Sequence, residues 1–249
     1  MKILALDSTA RAASAAVMVN GDVVACFTAD VGQTHSEVLL PMAEAACRAA
    51  SLTVSEADCY AVTVGPGSFT GVRIGVATVK GLAFRFPEDN VKNCVAVSTL
   101  EALAENLYGL DGILCAVMDA RRKEVYNALF RMENGTLTRL TPDRAISLAA
   151  LAEELRTLYK NEPIRLSGDG YDVAHAALTE AGVACPETPY LLRLQNASSV
   201  ARCANRAVLL GNTVTEASLS PVYLRMPQAE RERLEREKAE KKETQATAN

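Results

Sequence analysis

The sequence predicts an α/β protein made of two similar halves, and three observations lead to this prediction. Each half begins with a short apolar strand that ends in an aspartate, Asp7 in the first and Asp119 in the second. Each aspartate is followed by an Asn-Gly pair, at Asn20 and Asn134, which is the strongest two-residue signal for a β-hairpin. Apolar runs with helical spacing then alternate with short strands. The repeat of this pattern predicts a duplicated unit.

The first half is expected to contain five strands and three helices. Pro41 lies within the first helical pattern, so we expect a distorted first turn or a helix that starts near Pro41. Ser98 or Thr99 is expected to cap the third helix, since Glu101 lies close to the capping-box position. The predicted strands are residues 3–6, 13–19, 23–28, 59–64 and 91–97, and the predicted helices are 36–50, 71–84 and 99–107.

The second half repeats the strand pattern and ends in helices. We expect a first subdomain of residues 1–106 and a second subdomain of residues 107–226. The last helix of the second subdomain could pack back on the first subdomain. Residues 227–249 are mostly Glu, Arg and Lys, so they are expected to form a solvated helix or a disordered tail. The predicted strands are 112–118, 124–131, 136–140 and 164–167, the predicted helices 147–159, 170–181 and 197–210, and a final extended segment is 221–225.

Composition and charge restrict the class of protein. Hydrophobic residues make up 49% of the chain and charged residues 22%, which is ordinary for a globular protein. The net charge of −4 argues against a basic nucleic-acid surface, so any RNA is expected to be held by another protein. The seven cysteines form no CxxC pair and read as core residues of a reducing compartment. With no signal peptide or membrane span expected, we predict a cytoplasmic protein.

A glycine-rich turn follows the fourth predicted strand, from Gly65 to Gly71. A strand, a tight glycine turn and a helix N-terminus together direct free backbone N–H groups towards one point, which favours an anion or phosphate site. The alternative is a tight turn whose glycines serve only the backbone conformation. A nucleoside-triphosphatase P-loop is excluded, because Val72 and Arg73 follow Gly71 where Lys and Ser or Thr are required.

The helix after this turn is almost wholly apolar, which is typical of a helix that is buried on several sides. Gly71 and Gly75 are four residues apart on one face, so another backbone could approach closely there. We interpret this helix and helix 36–50 as a contact surface for a partner. The alternative is that the second half of the chain buries both helices. The expected interface residues are Leu39, Met42, Ala46, Gly71, Val72, Gly75, Val76 and Val79.

Asp7 and Asp119 would lie at the carboxyl ends of the first strand of each half, facing the cleft between the halves. Carboxylates there could position a metal–nucleotide, or each could simply cap its own turn. His35 and His175 have no ligands at metal spacing beyond Glu37 and are expected to be ordinary surface or capping histidines. The candidate nucleotide- or phosphate-binding residues are Asp7, Ser8, Gly67, Ser68, Asp119, Gly168 and Gly170.

Five segments of the chain resemble the TsaB family, also called YeaZ, whose members take part in threonylcarbamoyladenosine modification of tRNA. The resemblance runs in order from residue 3 to about residue 226, and its glycine motif is specific. The tail beyond residue 226 is not covered. The segments are Ile3–Thr9, His35–Pro41, Gly65–Gly75, Asp119–Tyr126 and Pro221–Arg225.

The resemblance implies a duplicated actin-like or sugar-kinase-like fold, related to ribonuclease H, with two subdomains. It implies a non-catalytic scaffold subunit that pairs with the catalytic subunit TsaD, with TsaE joining them, to modify adenosine 37 of tRNA. It also implies a homodimer when TsaD is absent, only indirect contact with tRNA, and nucleotide binding only within the complex. TsaD carries a metal-binding His-x-x-x-His, and the matching places here look to be Thr99 and Leu103, which cannot ligate a metal as imidazole does. We therefore expect no metal and no cofactor.

A second hypothesis remains, a stand-alone nucleotide-dependent enzyme of the same fold, such as a kinase or an ATPase. The missing phosphate-binding lysine and the few acid and base residues count against it. A metallopeptidase is a third possibility, which metal analysis would decide.

Overall fold

In the part of the chain that the computed structural model describes, residues 1–30, 32–84 and 92–225, two β-sheets of five strands each form the two halves. The first sheet has the order β3-β2-β1-β4-β5. Its first three strands are antiparallel, and β4 and β5 run parallel to β1. These strands are β1 (Lys2–Asp7), β2 (Ala13–Val19), β3 (Asp22–Ala29), β4 (Cys59–Gly65) and β5 (Asn93–Ser98).

The second sheet repeats this plan. Its order is β10-β6-β7-β8, with β9 also paired to β7, and β10 runs parallel to β6 while the other pairs are antiparallel. An antiparallel meander beside a parallel strand thus occurs in both halves, and the predicted duplicated α/β fold is confirmed. These strands are β6 (Gly112–Asp119), β7 (Glu124–Glu133), β8 (Thr136–Arg139), β9 (Arg144–Ser147) and β10 (Ile164–Ser167).

Both predicted hairpins form at the Asn-Gly pairs. Asn20 and Asn134 have φ of 52° and 50°, and the glycine after each also has a positive φ. Positive φ at both central residues matches the right-handed twist of the flanking strands, which explains why Asn-Gly is favoured there. The two turns therefore fix the register of each meander.

Six α-helices complete the described residues. The helices are α1 (His35–Ala49), α2 (Phe69–Phe84), α3 (Thr99–Glu105), α4 (Leu148–Leu158), α5 (Tyr171–Glu180) and α6 (Ala197–Leu209). Side-chain caps begin four of them, α2 (by Ser68), α3, α4 and α6. The Ser98 hydroxyl accepts a hydrogen bond from the Glu101 N–H at 3.2 Å, and Ser147 and Asn196 cap two later helices in the same way.

Helix α1 starts at His35 and continues through Pro41, so the expectation of a start near Pro41 is wrong. Pro41 removes one helical hydrogen bond, but it is exposed. The buried face of α1, which includes Leu39 and Ala43, packs on the first sheet. Tertiary packing of that face supplies most of the stability of a helix, so it outweighs the local penalty of Pro41.

Four apolar clusters hold the layers together. Helices α1 and α2 cover one face of the first sheet, and α6 covers the other. Helices α4 and α5 cover one face of the second sheet, and α3 packs on its other face, between the halves. Although α6 follows the second half in the chain, it packs on the first. The boundary at residues 106 and 107 stays a prediction.

No helix in the described ranges is both long and apolar enough to cross a membrane. The predicted tail, 227–249, and the predicted start of β5 at Val91 lie outside the residues that the structure describes.

Candidate functional site

The turn after β1 lies directly beneath the N-terminus of α2. The Ser8 hydroxyl donates a hydrogen bond to the Gly71 carbonyl oxygen at 2.9 Å. A Cβ on Gly71 would come within 2.0 Å of the Ser8 carbonyl oxygen, and one on Gly75 within 2.7 Å of the Ser8 hydroxyl. The interpretation that these two glycines leave room for a partner's backbone is therefore wrong, because the same chain already occupies that room.

The glycine-rich turn supplies the N-terminal cap of α2. The Ser68 hydroxyl accepts a hydrogen bond from the Gly71 N–H at 3.3 Å. Gly67 lies against Thr9, since a Cβ there would come within 2.4 Å of the Thr9 carbonyl oxygen. Two adjacent turns, one from β1 and one from β4, are thus packed against each other through glycine.

Asp7 and Asp119 occupy equivalent places in the two halves, and both cap their own turns. One carboxylate oxygen of Asp7 accepts from the Thr9 N–H at 2.8 Å and from the Thr9 hydroxyl at 2.7 Å. One carboxylate oxygen of Asp119 accepts from the Arg121 N–H at 2.8 Å, and the other pairs with the Arg121 guanidinium at 3.2 Å. Of the two roles considered from the sequence, both aspartates therefore show the second, in which each carboxylate caps its own turn.

The environment of Asp7 differs from that of Asp119 in its burial. Asp7 is fully buried, and its Oδ2 has no hydrogen-bond partner among the described residues. Burial raises the pKa of Asp7 to about 6, although the hydrogen bonds from Thr9 partly offset this effect. This carboxyl group is therefore protonated in the native protein at pH values where an ordinary aspartate is already ionised, up to about pH 6.

This pKa predicts a pH dependence of stability. The folded pKa lies above the usual value of 3.8, so the native state binds more protons than the unfolded state between about pH 4 and 6. The contribution of Asp7 to the free energy of unfolding is therefore largest below that range and falls as pH rises through it. Each unit of difference between the folded and unfolded pKa corresponds to about 1.4 kcal/mol of unfolding free energy. The variant Asp7→Asn cannot titrate in this range, so its stability should not show this pH dependence. Urea unfolding of both proteins at pH 4, 5 and 6 measures the difference; parallel profiles would contradict the assignment.

A cavity of about 460 Å³ lies between the two halves. The first half contributes Gly67 and Ser68 to its wall, and the second contributes Asp119, Arg121 and Tyr126. Three of the predicted nucleotide-site residues, Gly67, Ser68 and Asp119, therefore lie together there. The C-terminal segment supplies the remaining side, with Val222, Tyr223, Leu224 and Arg225.

The other predicted nucleotide-site residues do not line this cavity. Asp7 and Ser8 are buried beneath the turn. Gly168 has a φ of 122°, and a Cβ on it would lie 1.9 Å from the Val117 carbonyl oxygen. A Cβ on Gly170 would lie 2.9 Å from the Met118 carbonyl carbon of β6. The last two glycines therefore permit close packing of the β10–α5 turn on β6.

Sequence reasoning missed the residues that join the C-terminal segment to α2. The Tyr223 and Phe69 rings lie 5.0 Å apart, and the Arg73 guanidinium carbon lies 3.8 Å from the Phe69 ring centre. The Arg73 Nε donates a hydrogen bond to the Tyr223 hydroxyl at 2.9 Å. The only signal was the extended Pro221–Arg225 segment itself, since its partners are some 150 residues distant in the chain.

Most of the predicted interface residues are buried within the chain itself. Val76 and Val79 on α2 pack with Leu39 and Ala46 on α1 in the core of the first half, and Met42 packs against that core. Val72 is buried there too. The interpretation that these side chains form a contact surface for a partner is therefore wrong, since the core of the first half covers them.

Different residues of α1 and α2 point outward. We call Leu40, Pro41, Ala77, Gly81 and Phe84 the outer α1–α2 surface, because all five are exposed. Phe84 is 78% exposed and Leu40 41%. A Cβ on Gly81 would meet no atom within 4 Å. Ala77 and Gly81 are also four residues apart, six residues further along α2 than Gly71 and Gly75, and both are exposed.

No group of three or more His, Cys, Asp or Glu within the described ranges could hold a metal ion. Thr99 and Leu103 are both buried on α3. The His35 ring lies 3.3 Å from the Arg11 carbonyl oxygen, and the His175 ring stacks on Tyr171 at 5.2 Å. Each histidine therefore has an ordinary structural contact.

Comparison with known proteins connects this geometry to a pathway. A family model described as TsaD, tRNA N6-adenosine threonylcarbamoyltransferase, matches residues 29–233. The tRNA threonylcarbamoyladenosine biosynthesis protein TsaB of Bacillus subtilis is 33% identical over 168 residues, which cover 68% of this chain and 71% of that protein. The protein of the same name from Escherichia coli is 28% identical over 229 residues, covering 90% and 95%.

The solved structure of YeaZ from Pseudomonas aeruginosa superposes with a TM-score of 0.72 at 28% identity, covering 90% of this chain and 99% of that one. This agreement, together with the strand order of the two sheets, confirms the fold class that the resemblance implied.

Proposed function

The chain belongs to the TsaB family of tRNA threonylcarbamoyladenosine biosynthesis proteins, and from this premise we propose that it is a non-catalytic partner subunit. In this proposal it activates the catalytic subunit TsaD, which transfers the threonylcarbamoyl group to adenosine 37 of tRNA, and TsaE joins the pair. The chain acts in the cytoplasm and meets tRNA only through the complex.

The proposal rests mainly on the hydrogen bonds of the two equivalent aspartates, Asp7 and Asp119. In both halves the carboxylate at the end of the first strand is bonded to its own turn, and Asp7 is fully buried as well. A general base must reach the proton that it abstracts, and a metal–nucleotide needs exposed carboxylate oxygens. Asp7 therefore supports its turn rather than a reaction, and the Asp119 carboxylate, whose side chain is 30% exposed at the cavity, is engaged by Arg121.

The outer α1–α2 surface supports the pairing with TsaD. It includes two exposed apolar side chains, Leu40 and Phe84, and the exposed small residues Ala77 and Gly81, where another helix could approach closely. Since the chain also matches the TsaD family model, the two subunits can pair through equivalent helices. Without TsaD the same surface would make a symmetric homodimer, in which each copy uses the same patch.

The variants Ala77→Arg and Gly81→Arg test this surface. Both positions point outward, so a long charged side chain should leave the fold intact and weaken the complex with TsaD by at least about tenfold, or about 1.4 kcal/mol. Calorimetric titration of the purified subunits measures the affinity. The matched control is Ala176→Arg, at an exposed alanine in the middle of α5 in the second half. Unchanged affinity in both α2 variants would place the interface elsewhere.

The cavity between the halves is the feature that would fit the second hypothesis, a stand-alone nucleotide-dependent enzyme. Gly67, Ser68 and the N-terminus of α2 face it, as a nucleotide site would require. We place nucleotide binding there only within the complex. Steady ATP turnover by the purified chain alone would favour the stand-alone enzyme instead.

A further inference from the structure

A groove of about 900 Å³ lies between α4 and α5 in the second half. Its wall is mostly apolar and includes Val173, which is 43% exposed. The residues of these helices that face the sheet, such as Leu151 and Leu178, are buried in the core and do not line the groove. The other apolar lining residues are Leu148, Ala149, Ala152, Ala176 and Ala177. The described part of the chain thus leaves an apolar groove open on this half.

Side chains of both charges border the groove. Arg122 and Lys123 are exposed there, and neither forms an ion pair with a described residue. They lie at the N-terminus of α4, since the Lys123 carbonyl oxygen accepts a hydrogen bond from the Leu148 N–H at 3.0 Å. Glu180, near the C-terminus of α5, is likewise exposed and has no ion-pair partner among the described residues. A segment that carries both acidic and basic side chains would therefore find partners at this border.

The described chain ends beside this groove. Arg225 is its last residue, and the Arg225 guanidinium donates a hydrogen bond to the Glu124 carboxylate. This ion pair is half-buried, with side-chain exposures of 23% and 34%. Glu124 itself lines the groove. The residues that follow Arg225 therefore begin at the border of the groove.

These following residues fit the groove in composition and length. Met226 and Leu234 are the only large apolar residues after Arg225, and residues 230–233 are two glutamates and two arginines in alternation. Leu234 follows Arg225 by nine residues, a reach of about 14 Å at the rise of a helix and about 30 Å when extended. The groove extends along α5 from Val173 to Glu180, which is about 11 Å. Leu234 can therefore reach the whole length of the groove.

Covalent attachment favours this segment over a separate molecule as the occupant. A segment that is joined to the chain beside its site is present there at an effective concentration on the order of millimolar. Contacts that would be too weak to hold a free peptide are then sufficient. One large apolar side chain and a few exposed charge pairs meet this requirement.

We propose that residues 226–234 of the same chain occupy the groove between α4 and α5. In this arrangement the Leu234 side chain packs against Val173 and Ala176, and the glutamates of the segment lie near Arg122 and Lys123. The contact does not depend on the proposed pairing with TsaD, because the outer α1–α2 surface lies on the first half.

Disulfide trapping in the full chain tests this proposal. The double variant Leu234→Cys/Ala176→Cys places one thiol in the segment and one in the groove. The matched control is Leu234→Cys/Thr179→Cys, because Thr179 is exposed on the same helix but does not line the groove. With oxidised glutathione as the oxidant, which is reduced as the two thiols join, the first pair should form its disulfide at least about tenfold faster than the control pair. Mass spectrometry of non-reduced peptides distinguishes this disulfide from the native cysteines.

A charge reversal at the border of the groove gives a second measure. Adding Arg122→Glu/Lys123→Glu should slow trapping at position 176 by about threefold or more, because these side chains would then repel the glutamates of the segment. The matched control is Lys160→Glu, an exposed position just beyond the other end of α4. Equal trapping at positions 176 and 179, or no trapping at either, would overturn the proposal. A disulfide that forms mainly between two chains would overturn it too, because a second copy would then be the occupant.

Discussion

Replacing Gly71 by alanine should lower the free energy of unfolding by about 3 kcal/mol, although alanine is the better helix former. The added methyl group would lie 2.0 Å from the Ser8 carbonyl oxygen and 3.2 Å from the His35 ring. The Ser8 oxygen belongs to the backbone of a buried turn, so it cannot move aside as a flexible side chain could. Helix α2 must instead lift from β1, with loss of core packing.

Gly81 on the same helix provides the matched control. A Cβ there would meet nothing within 4 Å, so Gly81→Ala should raise the free energy of unfolding by up to about 1 kcal/mol. Urea unfolding of the two variants beside the parent protein measures both changes. Effects of the same sign would show that α2 does not lie on the β1 turn as described.

Removing both arginines that face Glu105 should cost about 3 to 5 kcal/mol of unfolding free energy. Glu105 on α3 is fully buried, and its carboxylate accepts from the Arg202 Nε at 3.0 Å and from the Arg206 guanidinium at 2.8 Å. The variant Arg202→Ala/Arg206→Ala would leave a buried carboxylate with no positive partner on α6. A buried charge without a partner is far more costly than the pair is favourable.

A rescue variant distinguishes the buried charge from lost packing of the arginine stems. Adding Glu105→Gln to the double variant removes the charge and keeps the side-chain volume, so most of the lost stability should return. Thermal or urea unfolding of the parent, double and triple variants gives the comparison. A double variant that loses less than about 1 kcal/mol would contradict the role of this network in holding α6 on α3.

Local patterns were sufficient to predict most of the fold. The Asn-Gly pairs determine both hairpins through the backbone conformation that they permit, and Ser98 caps α3 through a contact only three residues away. The duplication followed from the recurrence of these local signals. Pro41 shows the limit of this approach, because the packing of distant residues on α1 outweighs a local preference.

The site was less predictable because its contacts join distant parts of the chain. Gly71 looked like an open position, and only the fold shows that Ser8, 63 residues earlier, fills the space beside it. Apolar residues such as Val76 do not reveal from sequence which layer will cover them. The outer surface residues Ala77 and Gly81, and the partners of Tyr223, likewise depend on which helix face turns outward.

Reconstitution of the modification from purified subunits tests the proposed function most directly. The chain is mixed with a threonylcarbamoyl donor and unmodified tRNA, alone or with the TsaD and TsaE homologues and ATP, and threonylcarbamoyladenosine is measured by mass spectrometry of digested tRNA. We predict no product from the chain alone, and much more product from TsaD and TsaE when the chain is added. Product formed by the chain alone, or an equal yield from TsaD and TsaE without it, would contradict its assignment as a non-catalytic partner subunit.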